Sequence, residues 1–311
     1  MVVSIARCAF LCVRLRVPEN FFDIFLALMR ISLIEHPKGL STMLDSSAPI
    51  GIFDSGIGGM TVASAVTRLL PQENTIYFGD TAHLPYGDKS TAAIQAYSIK
   101  ICNMLLQQNC KLILIACNSA SAAAYELVRE YVGSKAKVLN VIDPVVDYVK
   151  EHYEGKTIGL IGTKQTVLSN VYKKKVDALD RNIHLKSLAT PLLAPMIEEG
   201  FFDNNISESV IANYLSDPSL NGIEALILGC THYPLIKTQI RKFYGEAIET
   251  LDTSEIVARS LKAWLEQHYL INEKGEGKRQ FYVSDYTLSF EQSTNIFFGR
   301  QIQLEHYPLW E

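Results

Sequence analysis

The chain has no Cys-x-x-Cys pair, no surplus of basic side chains, and no apolar stretch that could cross a bilayer without meeting a charge. Each absence excludes something. Without Cys-x-x-Cys, a zinc ribbon or a thioredoxin-type dithiol has no framework. The six cysteines, Cys8, Cys12, Cys102, Cys110, Cys117 and Cys230, show no disulfide-scaffold spacing and read as free thiols of a cytoplasmic protein. With 29 basic against 33 acidic residues the net charge is -4, so no electrostatic footprint for nucleic acid is present. Arg7, Arg14, Arg16, Asp23 and Arg30 interrupt the only extended apolar region, which excludes a membrane span. That region also lacks the small-residue cleavage site of a secretory leader. Residues 1–42 therefore read as an extension foreign to the fold, with Met43 as a natural start.

What the chain does contain is a soluble globular composition, 48% hydrophobic and 20% charged. It also contains two related stretches. Leu112-Ile113-Leu114-Ile115-Ala116-Cys117-Asn118-Ser119 is echoed by Ala225-Leu226-Ile227-Leu228-Gly229-Cys230-Thr231-His232. Each is an apolar run of strand length without alternation, as expected of a parallel strand buried on both faces. Each ends in cysteine followed by small polar side chains. Ligands in such sheets lie beyond the carboxyl ends of the strands. A second echo, Ile50-Gly51-Ile52-Phe53-Asp54-Ser55 against Ile158-Gly159-Leu160-Ile161-Gly162-Thr163, recurs at nearly the same interval of about 110 residues. The expected fold is thus α/β, two similar domains with mostly parallel sheets, related by pseudo-twofold symmetry, with the site at their interface. The first domain is placed at 43–142 plus 252–311 and the second at 143–251.

The remaining elements follow from local signals. Asp54-Ser55-Gly56-Ile57-Gly58-Gly59 follows the first strand, but Thr61 stands where a dinucleotide fingerprint needs its third glycine. This loop reads as a small-ligand turn with Asp54 and Ser55 directed into the site, or more blandly as a tight strand-to-helix turn. Helices are predicted to Leu70, over 88–108, 122–131, 170–179, 208–215 and 254–268. Strands are predicted at 75–80, 138–142, 184–188, 280–284 and 301–307, with Asp143-Pro144 as a corner. Cys102 and Cys110 read as inert buried thiols.

Taken singly, Cys117 and Cys230 each read as a buried apolar residue at a strand end. Taken together, they suggest chemistry. Helices starting after both would bring N–H groups to the sulfurs and lower the thiol pKa. A metal site on Cys117, Cys230, His232 and Asp54 lacks a usual zinc spacing. A cysteine hydrolase with His232 as base leaves the second cysteine without a role. A redox dithiol has little support. The fourth chemistry uses both thiols: inversion of a stereocentre needs one group to remove a proton and another to deliver one to the opposite face.

The stretch from Pro49 to Pro308 resembles the glutamate racemases of the aspartate/glutamate racemase family. The resemblance rests on Gly51-Ile52-Phe53-Asp54-Ser55-Gly56-Ile57-Gly58-Gly59, Pro85-Tyr86-Gly87, Cys117-Asn118-Ser119-Ala120-Ser121 and Leu228-Gly229-Cys230-Thr231-His232-Tyr233-Pro234-Leu235, in family order. It implies that Cys117 and Cys230 are the two acid/base residues, assisted by Asp54 and His232. It further implies a substrate site of Asp54, Ser55, Tyr86, Gly87, Asn118, Ser119, Thr231 and His232, with Glu198, beside Glu199, as a further member. No metal, no cofactor, glutamate as the small-molecule substrate, a supply of D-glutamate for peptidoglycan, and a homodimer are likewise implied. Aspartate racemases are similar but typically carry Glu where His232 stands. Ser119 replaces the usual threonine, and Thr190 stands where a cysteine often precedes Pro-Leu. An inactive amino-acid-binding protein on the same scaffold is the non-enzyme alternative.

Overall fold

The computed structural model describes residues 44–311. The reading of residues 1–42 as an extension, the start at Met43, and Cys8 and Cys12 lie outside the described residues. Strand β1 (Ile50–Asp54) leads into helix α1 (Met60–Leu69), strand β2 (Thr75–Gly79) and helix α2 (Thr91–Gln107). Strand β3 (Leu112–Ile115), helix α3 (Asn118–Val132), strand β4 (Lys137–Asn140) and helix α4 (Ile142–His152) follow. The middle of the chain forms β5 (Thr157–Gly162), α5 (Lys164–Leu168), α6 (Val171–Asp177), β6 (His184–Ala189), α7 (Leu193–Glu198), α8 (Asn205–Leu215), β7 (Ala225–Gly229), α9 (Lys237–Tyr244) and β8 (Glu249–Leu251). Helix α10 (Thr253–Gln267), β9 (Arg279–Val283), α11 (Leu288–Phe298) and β10 (Glu305–His306) close the chain.

Two sheets result, in the orders β10-β9-β2-β1-β3-β4 and β6-β5-β7-β8, and every pairing is parallel. The block β2-β1-β3-β4 has the same order as β6-β5-β7-β8, so the fold repeats itself as the two sequence echoes predict. In both blocks the order reverses between the first and third strands, β1/β3 and β5/β7. Such a switch point opens a crevice at the strand carboxyl ends. Ser55 and Cys117 leave one crevice, and Thr163 and Cys230 the other.

The apolar runs are buried on both faces because helices cover each sheet. Ile50, Ile52, Leu112 and Leu114 face a large core that also holds Leu226, Leu228 and Tyr233. Phe53, Ile113, Ile115 and Cys117 face a second core, packed with Ile94, Ile101 and Leu105 of α2. Ile158, Leu160, Ala225 and Ile227 face a third, with Val145 and Val149 of α4. The largest core spans both repeats and joins them into one body.

Three local expectations are corrected. Helix α3 begins at Asn118, not Ala122, so Cys117 itself is its N-cap. Asp143-Pro144 is no corner. It lies in the first turn of α4, where proline loses no hydrogen bond because those N–H groups have no intrahelical partner. Asn140 Oδ1 accepts from the Ile142 and Asp143 amides (2.8 and 2.9 Å) and so starts that helix. The strand predicted over 301–307 shrinks to Glu305–His306. Ile302 is buried but gives its N–H to Thr294 Oγ1 (2.9 Å), which imitates strand alternation without a ladder.

Candidate active site

The two crevices face each other across one cavity, bordered by Ser55, Tyr86, Cys117, Asn118, Cys230 and His232 among others. Both sulfurs border it, with Cys117 and Cys230 only 5% and 6% exposed. Its free volume of 20 Å³ holds about one water. Gly87, Ser119, Thr231 and Glu198 border it as well. Asp54 does not. It is wholly buried beneath the floor, where Oδ1 accepts from the Gly56 amide (3.1 Å) and Oδ2 from Thr231 Oγ1 (3.4 Å). Burial pushes its carboxyl pKa upward, against the opposing pull of His232.

The two thiols have different surroundings. Cys117 Sγ accepts from the Ala120 amide (3.4 Å) at the start of α3 and lies 3.7 Å from Ser55 Oγ. The expected depression of its pKa is overturned. Burial pushes this thiol up to about 12, Asp54 and Cys230 add to the rise, and the hydrogen bonds with Ala120 and Ser55 offset only part. A single sulfur-to-amide contact cannot replace the water a thiolate loses. Cys230 also lacks the helix expected just after it. Thr231-His232 and a tight turn over Tyr233–Ile236 intervene before α9.

At Cys230 the polar partner is a side chain. His232 Nδ1 lies 3.5 Å from Cys230 Sγ, and His232 Nε2 lies 2.8 Å from Glu198 Oε1. Burial alone would lower the pKa of the ring. The sulfur and the Glu198 carboxylate outweigh burial and hold the His232 pKa well above the ordinary histidine range. The ring also packs edge-on to Phe297, with centroids 5.2 Å apart. On its other side is Gly58, where a Cβ would stand 2.3 Å from His232 Cε1. Glycine at 58 is therefore required by the approach of the ring. The contact is made by Glu198 and not by its neighbour Glu199.

Polar groups line the remaining walls. Tyr172 donates to Asn118 Oδ1 (2.8 Å), leaving the buried Asn118 Nδ2 as a donor without a protein partner. Ser119 Oγ lies 2.8 Å from Thr163 Oγ1, which joins the two repeats across the cavity. Thr163 borders the site and was not among the residues singled out from the sequence. Its signal was present, since Thr163 occupies in the second echo the place of Ser55 in the first. Tyr86 is held by its hydroxyl on Asp80 Oδ2 (2.6 Å). Among the described residues, no three His, Cys, Asp or Glu side chains converge as metal ligands.

The doubled parallel α/β scaffold thus brings two cysteines from equivalent strand ends to one cavity. Residues 60–261 match the Asp/Glu/Hydantoin racemase family. A glutamate racemase of Geobacter metallireducens is 37% identical over 254 residues, covering 81% of this chain and 93% of that protein. One from Syntrophus aciditrophicus is 39% identical over 82% of this chain and 94% of the relative. The crystal structure of a Francisella tularensis glutamate racemase in complex with D-glutamate superposes with a TM-score of 0.80 at 38% identity, covering 85% of this chain and 99% of that one. The chain belongs to the Asp/Glu/hydantoin racemase family.

Proposed function

We propose that this protein is a glutamate racemase, interconverting L- and D-glutamate by two-thiol acid/base catalysis without a cofactor. The observation that carries the reading is the pair of buried sulfurs, one from each repeat, bordering one cavity. Relatives at 37–39% identity bear the name glutamate racemase, which supports glutamate over aspartate.

One sulfur removes the Cα proton as thiolate while the other, as thiol, protonates the opposite face. Burial, which pushes the Cys117 thiol up, favours this sulfur as the proton donor. His232, bonded to Glu198, is the group through which Cys230 gives up or regains a proton. The carbanionic transition state is met by the free Asn118 amide and by the amides opening α3, in a site from which water is largely excluded. Ser55, Tyr86, Gly87, Ser119 and Thr231 position the substrate, and Asp54 shapes the loop that carries Ser55.

The space between the two sulfurs is narrow, and the reading includes a parting of the two repeats when glutamate enters. The contacts that open are Ser119 with Thr163, Gln165 Nε2 with Thr91 Oγ1 (3.1 Å) and Lys164 with Asp88 (3.3 Å). Within the described residues, the two bodies of this reading are 44–142 with 252–311, and 143–251. Among the described residues no helix is long and apolar enough to cross a membrane, and the reading adds a cytoplasmic homodimer that supplies D-glutamate for peptidoglycan.

The test is isotope exchange in D2O with chelator present and no added cofactor. Deuterium is expected at Cα of glutamate as optical rotation is lost. A preference for aspartate, or a requirement for an added cofactor, would overturn the reading.

A further inference from the structure

The turn after β7 carries both Cys230 and His232, and two of its three carbonyls are satisfied from within. The Tyr233 amide donates to the Cys230 carbonyl and the Leu235 amide to the His232 carbonyl (both 3.1 Å). The Thr231 carbonyl between them is met from the other repeat. Thr61 Oγ1, in the first turn of α1, donates to it at 2.9 Å and lies 3.0 Å from the Gly58 carbonyl. Ser254 Oγ, at the start of α10, donates to Thr61 Oγ1 (3.4 Å), and the neighbouring Thr253 Oγ1 donates to the Leu228 carbonyl (3.3 Å). Thr61, Thr231 and Ser254 are all buried.

A carbonyl fixes the plane of the peptide that follows it, here the peptide entering His232. The ring on that residue is confined by Gly58, Phe297, Glu198 and Cys230. The grip on Thr231 and the wall against the ring both come from Gly58–Thr61, so one short segment of the first repeat sets the geometry of an acid/base pair borne by the second. Cys117 has no such support from Thr61. It is fixed by Ser55 and the Ala120 amide.

We propose that Thr61 is a positioning residue for the Cys230–His232 pair, and that it governs proton transfer at Cys230 while leaving transfer at Cys117 unaffected. The proposal rests on the two-thiol racemase reading. Thr61→Val keeps the shape and removes the hydroxyl; Thr61→Ser keeps the hydroxyl. Loss of one buried hydrogen bond is expected to lower kcat about tenfold in Thr61→Val, with KM changed less than about twofold. Thr61→Ser should stay near wild type.

With 2-deuterated glutamate, the isotope effect on kcat/KM should rise for the enantiomer whose proton goes to Cys230 and fall for the other. Slowing one of two sequential transfers makes that step more limiting in one direction and less so in the other. General loosening of the fold would shift neither. Nitrogen shifts of the His232 ring, read by NMR whether or not the protein racemises, should move in Thr61→Val and be restored in Thr61→Ser. If Thr61→Val fails to fold, Ser254→Ala should show the same changes at smaller size. Unchanged isotope effects together with an unmoved His232 ring would overturn the proposal. Wild-type protein that racemises nothing, yet shows the ring shift in Thr61→Val, would sink the function and leave the positioning role standing.

Discussion

Replacing Gly58 by alanine tests the site at its tightest point. The backbone at Gly58 lies outside the left-handed region, so alanine meets no conformational objection there. The objection comes from His232. The new Cβ would lie 2.3, 2.6 and 2.8 Å from Cε1, Nδ1 and Nε2 of the ring. Carbon contacts settle near 3.5–4.0 Å, so the ring must withdraw by about 1 Å. That shift carries Nε2 beyond hydrogen-bond range of Glu198 and disturbs the 3.5 Å approach of Nδ1 to Cys230 Sγ. A hydrogen bond to a charged group contributes about 1.5–3 kcal/mol, so the rate should fall roughly 10- to 150-fold. Overpacking should cost about 1–3 kcal/mol of stability. The assay pairs racemisation, followed by optical rotation, with urea unfolding. Gly56→Ala is the control, because its Cβ would meet only Leu84, at Cδ2 (3.5 Å) and Cβ (3.8 Å), both ordinary contacts. A Gly58→Ala protein that turns over within twofold of wild type and of Gly56→Ala would refute the placement of His232.

Cys117→Ala and Cys230→Ala should each abolish racemisation of glutamate in the rotation assay, whereas Cys102→Ala, in the core of α2, should retain it. Lys111→Met should leave turnover per folded molecule unchanged but lower stability by about 3–5 kcal/mol in urea melts, because it strands the buried Glu73 carboxylate. Lys111 Nζ now donates to Glu73 (2.7 Å) and to the Leu270 carbonyl (2.8 Å), at the end of the sheet away from the cavity. Stability should also fall as pH rises from about 8.5, where unfolded thiols begin to ionise. Burial holds native Cys110 and Cys117 protonated up to about 12 and pushes Cys102 in the same direction. In that window the unfolded chain binds fewer protons than the native one, so the slope with pH is negative. The raised His232 adds the same sign, since its contribution is complete below the ordinary histidine value and is lost as pH passes its native one. Urea midpoints that climb between pH 8.5 and 10.5 would contradict this.

The sheets were legible because a parallel strand covered on both faces leaves an unalternating apolar run, as in Leu112–Ile115 and Ala225–Leu228. Their doubling was legible because equivalent places carry the same residue: Gly51 and Gly159, each under a leucine of the core (Leu105 and Leu226), and Cys117 and Cys230 at the strand ends. Legibility failed where one residue serves two geometries. Pro144 suits a corner and a first helical turn equally, and only the Asn140 cap, a contact made after the chain has turned, decides between them. The pKa of Cys117 failed for a different reason. The α3 amide is a local feature that sequence reveals, while the opposing desolvation depends on how deeply the second repeat covers the sulfur. Thr163 was hidden by chemistry: a threonine after Gly162 is an ordinary helix cap, and its amide-capping oxygen (3.2 Å to Thr166) is the same atom that meets Ser119 across the cavity.

The repeats are alike in strand order and unlike in the groups around their sulfurs, and racemisation accounts for both facts. Enantiomers have equal free energy, so a catalyst must reach both faces with comparable power, which two equivalent strand ends provide. In the proposed mechanism one sulfur must hold a proton while the other does not, so the resting protein has to break the equivalence. Burial beside Asp54 favours a protonated Cys117, while a charged imidazole tied to Glu198 stands beside Cys230. Turnover in one direction then leaves the protein in the less favoured of its two states, and turnover in the other restores the favoured one. If so, return to the favoured state runs through His232 and Glu198. Glu198→Gln should then slow one direction of the reaction more than the other at saturating substrate, with the KM values shifting to keep the ratio of kcat/KM at unity. Equal loss of kcat in both directions would show that Glu198 only holds the ring in place.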